Sequence, residues 1–203
     1  MFIKASPNKV PHPNSIHGKI LEILRWEKSI VAGGFARWCM SPIYDTPPPG
    51  DVDIFCPNTE AFKKICEVLD NFLSKEIKKE TEFTVEYGLE NTLPIQIIKP
   101  DRFSFETVEG LLEQFDMSVV QAALYNGSTG LVGPKFYDDE RNKIVRLNPK
   151  VKNLLGFIHR LQKYVRVGYT IDPECILEIN KILKNSPEII DNLDLESIQG
   201  YFR

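Results

Sequence analysis

Apolar positions along the chain switch between a helical and an extended period, and the switches mark its elements. Ile16, Ile20, Ile23 and Leu24 recur at helical spacing to about Trp26, behind a Ser15 placed to cap them. A β-branched run, Ile30 and Val31, leads into Gly33-Gly34, a short helix-like segment and a Pro-rich loop, Pro47-Pro48-Pro49-Gly50. Val52, Ile54 and Phe55 then anchor a second strand. Asn58 or Thr59 can cap a long helix striped by Phe62, Ile65, Cys66, Leu69, Phe72 and Leu73, and lysine-rich residues 75–79 read as its solvated end. Residues 82–87 alternate and residues 93–98 are largely apolar, predicting two more strands of the same sheet.

A short helix is expected over 107–115, a turn at Asn126 to Gly130, a strand at Leu131-Val132, a helix from Pro134 to about Asp139, and a strand over 144–147. From Pro149 the pattern is helical only. Val151, Leu154, Leu155, Ile158, Leu161 and Val165 share one face, with Lys152, His159, Arg160, Lys163 and Arg166 largely on the other. Further helices are expected from Asp172 or Pro173 and from Ser186-Pro187. Residues 1–14, with Pro7, Pro11 and Pro13, read as an extended arm. The chain thus divides into that arm, a mixed α+β unit over 15–148 and a small all-helical unit over 149–203.

Composition changes this picture little. With 203 residues, 26% charged and 42% apolar, the chain can bury a core and reads as soluble. A net charge of −3 argues against a wholly basic nucleic-acid binder while leaving room for a local basic face. Cys39, Cys56, Cys66 and Cys175 are scattered, and His12, His17 and His159 complete no zinc spacing, so reduced thiols are expected. No signal-peptide core or membrane-length apolar run is present, and a cytoplasmic protein without membrane partners is the expectation.

Two devices carry chemistry. Gly33 and Gly34 after a strand allow positive φ and close approach of backbone N–H groups to phosphate oxygens. Asp51 and Asp53 stand two apart at a strand, so both carboxylates project to one side. Held together they repel unless a cation lies between them, and hard oxygen ligands suit Mg²⁺ (or Mn²⁺) completed by substrate phosphates. Alone, a Gly pair is usually a turn and an Asp-x-Asp a solvated strand face; their order points to metal-assisted phosphoryl or nucleotidyl transfer.

Gly33-Gly34-Phe35-Ala36-Arg37 followed by Asp51-Val52-Asp53-Ile54-Phe55 resembles the head-domain signature of the polymerase-β-type nucleotidyltransferase superfamily. The branch named by the pattern holds bacterial CCA-adding enzymes and poly(A) polymerases, although Trp38 stands where that branch has Asp. Residues 115–124, Phe-Asp-Met-Ser-Val-Val-Gln-Ala-Ala-Leu, resemble the family's second motif with Phe115 for Arg. Arg160 to Tyr164 and Gly168 to Ile171 are similar to its neck helix. The family's Glu-Asp-x-x-Arg base-reading motif is not recognisable. A third carboxylate commonly comes from a neighbouring strand in the superfamily, and Gln96 occupies that position here, with Glu82, Glu86 and Asp101 as candidate substitutes.

The resemblance implies a nucleotidyltransferase-type mixed sheet flanked by helices, followed by a helical neck. It implies a template-independent, Mg²⁺-dependent enzyme moving a nucleoside monophosphate from an NTP to an acceptor hydroxyl, an RNA 3′ end first of all, with release of pyrophosphate. Asp51 and Asp53 would be catalytic and hold the metal. Gly33, Gly34, Arg37 and Asp116, with Gln121 behind them, would bind the nucleotide, and Lys152, Arg160 and Lys163 would meet phosphate or RNA. Nucleotidylation of a protein or small molecule, a catalytically degenerate nucleotide-binding or assembly module, and a plain RNA-binding protein using the basic face of 152–166 remain open beside it.

Overall fold

The computed structural model describes residues 1–12, 15–26, 28–73, 77–88, 92–126, 129–148 and 154–185. The alternating segments build one mixed sheet from β1 (Ile3–Ala5), β2 (Ile30–Ala32), β3 (Val52–Phe55), β4 (Ile77–Glu80), β5 (Thr84–Gly88), β6 (Ile95–Ile98), β7 (Ala122–Asn126) and β8 (Thr129–Val132). Their spatial order is β1-β8-β7-β2-β3-β6-β5-β4. The central pair β3 and β6 is parallel and the other pairs are antiparallel. This is the α+β architecture that the sequence predicts.

Alternation gives the sheet two different faces. Val31, Val52, Ile54, Val85, Ile95 and Ile97 point to one, where they are buried against Ile20 and Leu24 of α1 (Ile16–Trp26), Phe35, Cys39 and Met40 of α2 (Gly34–Met40), and Ile65 and Leu69 of α3 (Thr59–Phe72). Each such aliphatic side chain contributes about 1.5–3 kcal/mol by leaving water. Asn58 caps α3 by accepting from the Ala61 N–H, which fixes the turn at the end of β3. On the opposite face Ile30, Ala32, Phe55, Ala123 and Leu131 are covered by Leu111 and Leu112 of α4 (Val108–Leu112), with Phe103 and Phe115 packed beside them. Asp53, Gln96 and Glu86 lie on this second face and stay half-buried.

Two expectations are corrected. Residues 78 and 79 are not the end of the long helix: α3 closes at Leu73, and Lys78 and Lys79 belong to the edge strand β4. Charged residues on an edge block further strand pairing, and Lys78 also reaches back to Asp70 of α3 at 2.8 Å. A lysine run satisfies a helix end and an edge strand equally, so sequence alone could not separate them. Nor is the N-terminal arm free of the fold. Its β1 pairs with β8, and the Asn8 and Lys9 N–H groups both donate to the Cys39 carbonyl at the end of α2.

The remaining elements are a 3-10 turn (Ser118–Val120), α5 (Phe136–Asn142), β9 (Ile144–Val145), α6 (Leu154–Arg166), β10 (Thr170–Ile171) and α7 (Pro173–Asn185). The helix expected from Ser186 lies outside the described residues, as does Lys152. Met117, Val119 and Val145 share a core with Phe157, Leu161, Tyr164, Tyr169 and Ile179, and β10 pairs with β9. Among the described residues no helix is long and apolar enough to cross a membrane.

A buried ionic network joins α2 to the helical unit. Arg37 Nε donates to Glu140 Oε1 at 2.7 Å and its Nη2 donates to the Tyr169 hydroxyl at 2.5 Å. That hydroxyl donates in turn to Glu140, as does Ser41 Oγ at 2.8 Å. The guanidinium also lies over the rings of Tyr164 and Tyr169. Gly168 makes this possible: at φ 89 it turns the chain sharply out of α6 and sends Tyr169 back beside Tyr164. Arg37→Ala would leave Glu140, 0% exposed, without its cation. The expected loss is about 3–5 kcal/mol, read by urea unfolding, with the double variant Arg37→Met/Glu140→Met losing less because no charge is left unpaired.

Candidate active site

Asp53 lies mid-strand in β3 between Ala32 of β2 and Gln96 of β6, and Asp51 immediately precedes the strand. The turn that follows β2 comes directly against it. Gly33 has φ 76, and a Cβ there would sit 3.2 Å from Asp53 Oδ2, so positive φ and the nearby carboxylate both select glycine. Space is open above Gly34, where an added Cβ would meet nothing within 4 Å. The Gly33 N–H donates to the Ala122 carbonyl at 3.3 Å and so is not the free phosphate donor that the sequence suggests, while Gly34 begins α2. The sequence-predicted pair and the Gly turn are thus one site.

Neither Asp51 nor Asp53 makes an ion pair or hydrogen bond among the described residues. Burial, and then the Asp51 carboxylate, push the Asp53 carboxyl up to about 7, against an opposing pull from the Lys163 ammonium. Two carboxylates this close without a bound cationic partner suit a divalent ion whose other ligands are substrate phosphates. Among the described residues no three or more His, Cys, Asp or Glu side chains gather as a complete metal cage.

The other predicted residues divide. Asp116 is buried, and Arg160 holds its Oδ2 through Nε at 2.7 Å and through Nη2, so two residues predicted for separate roles meet in one ion pair. Lys163 follows one turn later on α6, near enough for its charge to act on Asp53. Arg37 is not available as a charge partner for a triphosphate: it is buried in the network with Glu140 and Tyr169. Its role is to hold the start of α2 against the helical unit. Gln121 donates to the Leu112 carbonyl and packs against Gly133. Trp38 packs on Phe35 and lies under Lys9 of the N-terminal segment.

Of the candidate third acids, Glu82 and Asp101 are exposed and gather around Arg102. Glu86 is different. It faces Gln96 across β5 and β6 and accepts from Gln96 Nε2 at 3.1 Å. Sequence spacing could not single it out, because the residues that place it are in two other strands.

No protein-family model matches this sequence, and no curated protein is similar to it in sequence. The fold does have counterparts. A CCA-adding enzyme in complex with ATP superposes with a TM-score of 0.60 at 17% identity, over 88% of this chain and 45% of its own. The Bacillus stearothermophilus CCA-adding enzyme in complex with CTP gives 0.57 at 16% identity, over 91% and 46%. The Thermotoga maritima CCA-adding enzyme complexed with tRNA_CCA gives 0.55 at 18%, over 85% and 44%. The chain therefore spans less than half the length of these enzymes and has the nucleotidyltransferase fold of their corresponding part.

Because the folded-state pKa of Asp53 is raised, its ionisation opposes folding increasingly from about pH 4 to about pH 7 and by a constant amount above. Without divalent metal, Asp53→Asn should stabilise the protein at pH 8 by about 2 kcal/mol, a figure reduced for partial solvent screening, and the gain should vanish near pH 4. Urea unfolding in EDTA across that range checks it. A gain independent of pH would contradict the assignment.

Proposed function

We propose that the protein is a template-independent nucleotidyltransferase that moves a nucleoside monophosphate from an NTP to an acceptor hydroxyl, an RNA 3′ end first of all. The observation that carries this reading is the unpaired Asp51/Asp53 couple set against the positive-φ turn at Gly33. The acceptor hydroxyl oxygen would form a bond to the α-phosphorus and lose its proton to water while the bond to the β,γ-diphosphate breaks, and pyrophosphate would leave with that electron pair. Positioning and charge neutralisation supply most of the acceleration in such transfers.

Each residue has a role in this scheme. Asp51 and Asp53 would hold Mg²⁺ or Mn²⁺. When bound, the ion would neutralise the charge developing on the phosphate oxygens. Gly33 leaves room for the triphosphate beside Asp53, and the open side of Gly34 would take its oxygens. Asp116, kept in one orientation by Arg160, would accept from the sugar hydroxyls through Oδ1, which has no partner among the described residues. Lys163 would face the phosphates from α6, with Arg160 nearby. Arg37 contributes by fixing α2 and therefore the turn before it.

A second reading rests on Gln96, since an amide where the family has an acid fits a nucleotide-binding module without turnover. One experiment separates the two. The protein is incubated with each labelled NTP, Mg²⁺ or Mn²⁺ and mixed RNA acceptors, scoring extension and pyrophosphate release beside Asp51→Ala/Asp53→Ala. Extension that falls at least about 100-fold in the double variant is expected. Retained NTP binding with no extension in either protein would establish the module instead.

A further inference from the structure

Asp53, Gln96 and Glu86 occupy one row across three hydrogen-bonded strands, with Asp53 beside Gln96 in the parallel pair and Gln96 opposite Glu86 in the antiparallel pair. All three point to the same face and are half-buried. Lys79, next in the row on β4, makes no ion pair with Glu86. The Glu86 carboxylate is instead taken up by the Gln96 amide. A carboxylate only accepts, so the amide nitrogen must face β5. That leaves Gln96 Oε1 turned away from the Glu86 carboxylate, on the sheet face that also carries Asp53. Oε1 has no partner among the described residues and is not sealed in the core.

We propose that Glu86 and Gln96 act as a divided substitute for a third acid: Glu86 is a positioning residue that locks the amide, and Gln96 Oε1 accepts a hydrogen bond from the attacking hydroxyl of the acceptor. This rests on the nucleotidyltransferase reading and adds to it a contact for the acceptor. Gln96 holds the O–H without taking its proton, so the device orients the nucleophile and leaves the bond exchange at phosphorus as described. The lock matters because a free amide could present either end. An acceptor without the hydroxyl loses the contact.

Two readouts test this. In protein with ¹⁵N-labelled side-chain amides, the Gln96 signal, assigned through Gln96→Glu, should shift when a short RNA ending in a 3′-hydroxyl is added with NTP and Ca²⁺ in place of Mg²⁺. The same RNA ending in 3′-deoxy should leave it in place. Equal shifts with both RNAs, or none, would overturn the inference. In turnover, Glu86→Gln and Gln96→Glu should each lower kcat about 10- to 100-fold with KM for NTP within about twofold. The exchanged pair Glu86→Gln/Gln96→Glu, which restores one donor facing one carboxylate, should recover most of that loss.

Single variants that keep full kcat, or an exchanged pair no better than either single variant while folding as stably as the parent, would also overturn it. A parent that extends no acceptor but shows the hydroxyl-specific amide shift would fail the nucleotidyltransferase reading and support the contact.

Discussion

The guanidinium of Arg37 is the interaction on which the geometry depends. It sits in a buried setting with Glu140 of α5 and with Tyr164 and Tyr169, at and just beyond the end of α6, so it joins segments more than 100 residues apart. Burying an ion pair is costly unless every polar atom finds a partner, and here Ser41 and the Tyr169 hydroxyl complete the set. The result is specification rather than raw stability. The network ties the helix that begins at Gly34 to the end of α6, close behind the glycine turn.

Charge near the Asp pair is arranged asymmetrically. The carboxylates come from the sheet, the cations come from α6, and the Asp116–Arg160 pair ties the two layers together at the side. Glu86 adds a negative charge two strands away and is joined to the site by an amide. The Asp pair thus carries an excess of negative charge, with the Lys163 ammonium acting against it from α6.

The central strands β2, β3, β5 and β6 and most helices were legible because their apolar residues follow an extended or a helical pattern, as at Val52-Asp53-Ile54 and at Ile65 and Leu69. The Asp pair and the Gly turn were legible too, since strand geometry forces i and i+2 to one side and φ 76 demands glycine. What failed was whatever depends on a partner far away in sequence. Arg37 looks like any cation after a glycine turn until Glu140 is brought to it, and Glu86 gains its place only when β5 pairs with β6. The short β1 carries no periodic signal, with three residues mostly exposed, and its pairing with β8 supplies the order that its sequence lacks.

That pairing also sets an order of events. Ile3 meets Val132, so β1, once made, must wait for roughly 130 further residues before its partner exists. β7 and β8, by contrast, can zip as a hairpin as soon as they are made. During synthesis the edge of that hairpin stands open until the leading segment returns and closes it, bringing with it the Asn8 and Lys9 contacts that cover the end of α2. β1 therefore takes its place only after a strand made much later has formed, and the cover over the end of α2 closes with it.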